Sequence, residues 1–370
     1  MPSRSSEDVG VERVETLANI LQTPSPMAPK FGRHTTAKDV VQGMDLTNKT
    51  YLITGATSGL GQEVAITLAE AGAHVVMAIR DLNKGDLVRS HIYTNTCYRK
   101  VDIIRMDLLD LSSVVDAANE FKKNGWDLHG LILNAGAYAP NPGFNELDNL
   151  NSALQTNYLS HFFLTLLLKD VLIKSAPSRI VSLTSVMTKY LRMNQKVNAT
   201  QFLEQLIETG GRGTRKYHQY AKSKLCNIML MKKMHRDLHC HGVSTYAVDP
   251  GSFINTRIAA ENYGWLRELV CLMASPFSKE VAEGAATVIF AAIHPAAETM
   301  SGKNLVNHKV KESTIHPAAN NEVFQDALYS HSCAMIERVL SMRKIKGDDD
   351  DIVDFSDSKN GYLQKLIKEN

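Results

Sequence analysis

The sequence predicts an α/β domain with a doubly wound, mostly parallel sheet covered by helices on both faces. Three observations lead to it. Short apolar runs of strand length alternate with longer runs at helical spacing, the order expected of βαβ units. Several short runs are apolar almost without a break, as strands buried on both faces are. The first of them ends in Thr54-Gly-Ala-Thr-Ser-Gly-Leu-Gly61, a glycine-rich turn that opens the first helix.

Tyr51 to Thr54 is the first predicted strand, followed by a helix from about Leu60 to Ala71. His74 to Ile79 is the second strand, and a charged helix runs through Asn83 to His91. Val101 to Arg105 is the third, with a helix from Ser112 to Lys123. Gly130 to Leu133 is the fourth, and a long helix spans about Asn149 to Leu172. Arg179 to Thr184 is the fifth strand. After an irregular stretch, a helix carrying Tyr220 runs to about His239. Val243 to Val248 and Gly302 to Val306 complete about seven strands within a domain of residues 44–310.

Residues 1–43 are polar, with acids and prolines, and are expected to form a disordered extension. Residues 311–370 form a C-terminal extension. Within it, Asn321 to Ile345 repeats apolar residues at helical spacing (Val323, Ala327, Leu328, Ala334, Ile336, Val339, Leu340). An acidic, flexible tail follows from Gly347, with a short helix expected at Tyr362 to Ile367.

Composition excludes several classes. A net charge of +2 over 370 residues, with no basic stripe, gives nucleic acid no purchase. Five scattered cysteines argue against a disulfide framework or a metal site, and for a reducing, cytoplasmic setting. No apolar run approaches the ~20 residues of a membrane span. Tyr263 to Ala274 is apolar enough to cover a lipophilic substrate, with ordinary core packing as the next reading; peripheral membrane contact is a third, for which the run lacks the usual basic face.

The glycine turn is the candidate cofactor site. Gly55, Thr57, Ser58, Gly59, Leu60 and Gly61 let backbone approach a pyrophosphate, whose charge a helix N-terminus favours. Arg80-Asp81 ends the second strand, where an arginine would meet a 2′-phosphate or a carboxylate a ribose hydroxyl. Arg80 comes first, which favours NADP(H) over NAD(H). Asp107, followed by Leu108, stands after the third strand; it would accept from an adenine amino group or cap the next helix. Asn134-Ala135-Gly136 keeps side chains small after the fourth strand.

Tyr220 and Lys224 lie four residues apart, on one face of their helix. A phenol with a pKa near ~10 is a poor proton carrier at neutral pH. A neighbouring ammonium stabilises the phenolate and makes the pair a candidate general acid/base.

Taken together, these residues resemble the short-chain dehydrogenase/reductase family, a Rossmann-type fold, over about 260 residues. The landmarks are Thr54-Gly-x-x-x-Gly-x-Gly61, Asn134-Ala-Gly136, Asn157 in Thr-Asn-Tyr-Leu-Ser-His-Phe, Ser185, Tyr220-x-x-x-Lys224 and Pro250-Gly251. Arg80 and Ser223-Lys-Leu-Cys-Asn-Ile are similar to the retinol-dehydrogenase branch. The resemblance implies a site of Asn157, Ser185, Tyr220 and Lys224, with Pro250, Gly251 and Thr256 at the nicotinamide end. It further implies a lipophilic carbonyl or alcohol substrate (a retinoid, steroid or fatty aldehyde) and a homodimer through the long fourth and fifth helices. Asp249 stands before Pro-Gly where the family more often has His, and the stretch from Ser185 to Tyr220 is long. A second reading therefore stands beside the enzyme: a nucleotide-binding scaffold on the same fold with little turnover.

Overall fold

The computed structural model describes residues 31–96, 98–138, 143–145, 148, 150–207, 216–251 and 279–345. Its sheet contains β1 (Thr50–Thr54), β2 (His74–Ile79), β3 (Val101–Arg105) and β4 (Gly130–Leu133). A separate two-stranded ribbon, β5 (Phe144–Asn145) and β6 (Leu150–Asn151), precedes the remaining sheet strands. These are β7 (Ser178–Leu183), β8 (Val243–Asp249), β9 (Lys303–Val306) and β10 (Lys309–Val310). The order across the main sheet is β10-β9-β8-β7-β4-β1-β2-β3, parallel throughout except for β9–β10.

The chain winds outward from β1 to β3, then returns to place β4 on the other side of β1. This reversal leaves a crevice at the carboxyl ends of β1 and β4, where open α/β sheets bind ligands. All five residues of β1 are buried, which accounts for the unbroken apolar reading.

One layer holds α1 (Ala37–Val41), α2 (Gly59–Glu70) and α3 (Leu82–Asn95), together with α10 (Val281–Ile293). The other holds α4 (Leu111–Lys123), α5 (Ser152–Leu154), α6 (Ser160–Leu167), α7 (Lys169–Lys174), α8 (Ala199–Ile207), α9 (Lys216–Leu238) and α11 (Glu322–Ile345).

Several boundaries differ from the sequence reading. The compact unit begins at Arg33, not at 44. Thr36 and Asp39 form a reciprocal capping box that starts α1 inside the stretch expected to be disordered. The sheet has eight strands because Asn307 (φ 51°) and His308 (φ 65°) make a tight turn that folds β10 back on β9. The helix expected over 149–172 is broken into α5, a π-turn at Gln155–Leu159, α6 and α7. The irregular stretch after Ser185 contains a 3₁₀ turn (Val186–Tyr190) and α8.

The C-terminal helix falls where periodicity put it, and Leu328, Ile336 and Val339 of its expected stripe are buried, but Val323 and Ala334 are not. Val323 is 65% exposed, whereas Phe324, Leu328, Met335, Ile336 and Val339 are buried. Phe324 stacks on Phe202 of α8 with ring centroids 4.0 Å apart, and Tyr329 meets Phe162 of α6 edge-on at 5.2 Å. The buried Tyr158 hydroxyl pairs with Ser332 Oγ at 2.8 Å. Leu328→Ala is therefore expected to destabilise the whole domain by about 2–5 kcal/mol, read as a lower denaturant midpoint. The helix expected at Tyr362 lies outside the described residues.

Candidate active site

The glycine turn is shaped by close approach. Gly55 takes φ +67°, and a Cβ there would lie 2.9 Å from that of Ala135. A Cβ on Gly61 would overlap the Asn134 amide and lie 2.6 Å from the Gly55 carbonyl. Asn134 Nδ2 donates to the carbonyls of Thr54 (2.9 Å) and Gly55 (3.3 Å), and the Ala135 N–H donates to Thr54 Oγ1 at 3.0 Å. Asn134-Ala-Gly thus braces the turn, beyond the small-walled passage expected from sequence. Ser58 begins α2 with extended backbone and no side-chain cap, leaving the first N–H groups of the helix to an incoming anion. Thr57 and Leu60 line the same turn, partly buried. These features fit a dinucleotide pyrophosphate.

Arg80 directly follows β2 and is exposed. Asp81 beside it is engaged locally: its carboxylate accepts the Lys84 N–H (3.2 Å) and pairs with Lys84 Nζ (3.1 Å) as the N-cap of α3. Those contacts hold its carboxyl below the usual range. Asp107 closes a local turn by accepting the Leu109 N–H at 3.0 Å, while Asp110, not Asp107, caps α4. The Leu108 carbonyl accepts from Ser160 Oγ at 2.6 Å, which ties this corner to α6.

Asn157 and Lys224 converge on Gly136. A Cβ there would lie 3.3 Å from Lys224 Nζ and 3.4 Å from Asn157 Oδ1. The Asn157 amide is fixed on three sides: Oδ1 accepts the Ala137 N–H (2.8 Å), and Nδ2 donates to the Ala137 carbonyl and Ser223 Oγ (both 3.0 Å). The π-turn around Asn157 is the sort of local unwinding that occurs at functional positions. Lys224 is buried, and its Nζ donates to the Leu183 carbonyl at 2.9 Å. Burial lowers its pKa to about 8, with Asp249 pulling the other way.

Ser185 follows β7; its Oγ accepts the Met187 N–H (3.3 Å) and faces the Tyr220 phenol. The Tyr220 ring packs against Tyr138, centroids 5.3 Å apart, with Lys224 Nζ 5.7 Å from its own centroid. Burial first, then Asp249, push the phenol well above its ordinary range, and Ser185 only partly offsets them. Lys224, which the sequence argument pairs with this phenol, has its Nζ 5.7 Å from the Tyr220 ring centroid. Its ammonium is engaged by Leu183, and a carboxylate stands nearby.

Other groups at the site escaped the sequence reading. His161 Nδ1 donates to the Asn157 carbonyl (3.1 Å), and its Nε2 accepts from Thr54 Oγ1 (2.9 Å), whose hydroxyl also accepts from Ala135. Burial, reinforced by Lys224, lowers its pKa to about 3, so it is neutral and links the π-turn to the glycine turn. Its position one helical turn after Asn157 was the available signal. Asp249 stands out in the sequence only as a departure from the His more usual before Pro-Gly. Pro250 and Gly251 (φ +106°) close β8 as expected. Thr256 and the apolar run Tyr263 to Ala274 lie outside the described residues.

Comparison with known proteins agrees with this architecture. Residues 49–200 match the family model described as short chain dehydrogenase. The chain is 35% identical over 273 residues to human WW domain-containing oxidoreductase, covering 74% of this chain and 65% of that protein. It is 32% identical over 296 residues to human retinol dehydrogenase 12, covering 79% and 88%. Among solved structures, a Burkholderia cenocepacia gluconate 5-dehydrogenase in complex with NADP and tartrate superposes with a TM-score of 0.55. It shares 23% identity over 73% of this chain and 96% of its own, which bears on the fold.

The chain belongs to the short-chain dehydrogenase/reductase family, oxidoreductases that act on CH–OH and C=O groups with a nicotinamide dinucleotide. Within that family it stands in the retinol dehydrogenase-like branch.

Proposed function

We propose that the protein interconverts a lipophilic carbonyl and its alcohol with NADP(H), through Ser185, Tyr220, Lys224 and Asn157. The observation that carries the reading is the convergence of Lys224 and Asn157 on Gly136, with the Ser185 hydroxyl facing Tyr220. When bound, the dinucleotide supplies or accepts the hydride. The Ser185 hydroxyl donates to the substrate oxygen and orients it. Tyr220 gives or takes the proton at that oxygen. Lys224 and Asn157 hold a positive, hydrogen-bonded floor beneath it.

The cofactor is held in this reading by the turn Gly55 to Gly61, by Asp107 and Leu108, and by Asn134 to Gly136. Pro250, Gly251 and Thr256 complete its nicotinamide end. With Asp81 engaged by its own helix, Arg80 is the group left to meet a 2′-phosphate. Arg80→Ala is accordingly expected to weaken NADPH binding about ten- to a hundredfold while leaving NADH unchanged. Titration of both nucleotides tests this, and equal loss for the two would overturn the NADP(H) preference.

Similarity to retinol dehydrogenase 12 and the apolar run after Gly251 support a lipophilic substrate. No described helix is long and apolar enough to cross a membrane, and Cys226, Cys240 and Cys333 are unpaired. A cytoplasmic setting suits those thiols. A homodimer through α6 and α9 would have to displace α11, which packs on both.

A further inference from the structure

Lys279 is almost fully buried, 3% exposed, and its ammonium has no hydrogen-bond partner among the described residues. It stands two residues before α10, the helix between β8 and β9. The end of its side chain lies along the Pro250–Gly251 turn. A Cβ on Gly251 would fall 2.9 Å from Lys279 Cδ, 3.2 Å from Cε and 3.5 Å from Nζ. Gly136 stands in a similar relation to Lys224, with 3.3 Å to its Nζ. The turns after β4 and β8 therefore each bring a lysine ammonium against a glycine.

The acids around this turn are committed elsewhere. Glu283, in the first turn of α10, accepts the Glu280 N–H (3.1 Å) and pairs with His34 Nδ1 (2.7 Å). Asp249 Oδ1 accepts the Gly251 N–H at 2.9 Å. Neither is bonded to Lys279. A buried ammonium is costly unless an anion or another acceptor meets it.

Topology puts that ammonium beside the cofactor turn. β1 runs parallel to β2, and β8 to β9, so α2 and α10 both start at the carboxyl ends of the strands. The two helices pack against each other in one layer. The uncapped start of α2 at Ser58 and the Lys279 ammonium thus share one end of that layer. Both favour an anion there. The lipophilic carbonyl proposed above carries no charge, and Arg80, after β2, is the group assigned to a 2′-phosphate. The pyrophosphate is the anion left to meet Lys279.

We propose that Lys279 is a cofactor-binding residue whose ammonium takes a pyrophosphate oxygen of the dinucleotide, together with the start of α2. The assignment rests on the cofactor part of the reading above, which seats the pyrophosphate at the glycine turn, and not on its proton chemistry.

The test is fluorescence titration of NADPH and NADH into wild type, Lys279→Met and Lys279→Gln, beside thermal denaturation of each protein free of nucleotide. The pyrophosphate is common to both nucleotides, so each variant is expected to bind both about ten- to a hundredfold more weakly. That pattern differs from Arg80→Ala, which costs NADPH alone. Removing a buried charge that has no partner should leave nucleotide-free Lys279→Met at least as stable as wild type.

Unchanged affinity for both nucleotides overturns the assignment, as does a loss confined to NADPH. A nucleotide-free Lys279→Met protein that melts below wild type overturns it too, and makes Lys279 half of a structural ion pair. Wild type that binds neither nucleotide also rejects it. With the expected losses in binding, a wild type that turns over no carbonyl defeats the proposed function and leaves Lys279 in its role.

Discussion

Tyr220→Phe is expected to lower turnover of any carbonyl substrate by about 10²- to 10⁴-fold, the usual range for removing a positioned general acid. The substitution keeps the ring that packs on Tyr138 and removes only the hydroxyl facing Ser185. Folding and NADPH affinity should therefore stay close to wild type, because the bonds by which Asn134 braces the glycine turn do not involve the Tyr220 hydroxyl. A fall in kcat with unchanged nucleotide binding is the signature of a group acting on the reacting atoms. A parallel loss of thermal stability would instead mark Tyr220 as part of the packing.

Gly61→Ala is expected to have the second large effect, on the cofactor. The added methyl would meet the Asn134 amide and the Gly55 carbonyl, both fixed by the bonds that shape the turn. Neither is the loose end of a flexible side chain, so the turn must open to admit the methyl. Overpacking of this kind costs about 1–3 kcal/mol of stability. The shifted turn should also bind NADPH about ten- to a hundredfold more weakly. Fluorescence titration with NADPH, alongside thermal denaturation, separates the two effects. An alanine variant with wild-type affinity would mean that the turn does not hold the pyrophosphate.

Much of this was legible in the sequence because the relevant signals are local. The strands β1, β2, β3, β4, β7, β8 and β9 are short apolar runs ended by turn residues, and each formed within a residue or two of its expected place. The glycine turn was legible for the same reason. Gly55 needs positive φ and Gly61 needs an absent Cβ, both requirements of one short segment.

What escaped depends on tertiary contacts. The helix over 149–172 reads as continuous, and only the clamp of Asn157 on Ala137 reveals the π-turn. The buried stripe of α11 turns on Phe202 and Phe162, residues far away in sequence, so Val323 was placed on the wrong face. The β9–β10 turn uses Asn307-His308, without the glycine that usually announces such a hairpin. The Tyr220–Lys224 pair was found by spacing. Its electrostatics were not, because Asp249 reaches the pair from a different strand.

The most direct measurement of the central claim is NADPH oxidation by purified wild-type and Tyr220→Phe protein against a panel of retinoid, steroid and fatty aldehyde or ketone substrates. Turnover of at least one lipophilic carbonyl by the wild type, reduced by about 10²-fold or more in the variant, is the expected result. Equal rates for the two proteins on every substrate would contradict the enzyme assignment and leave a nucleotide-binding scaffold in its place.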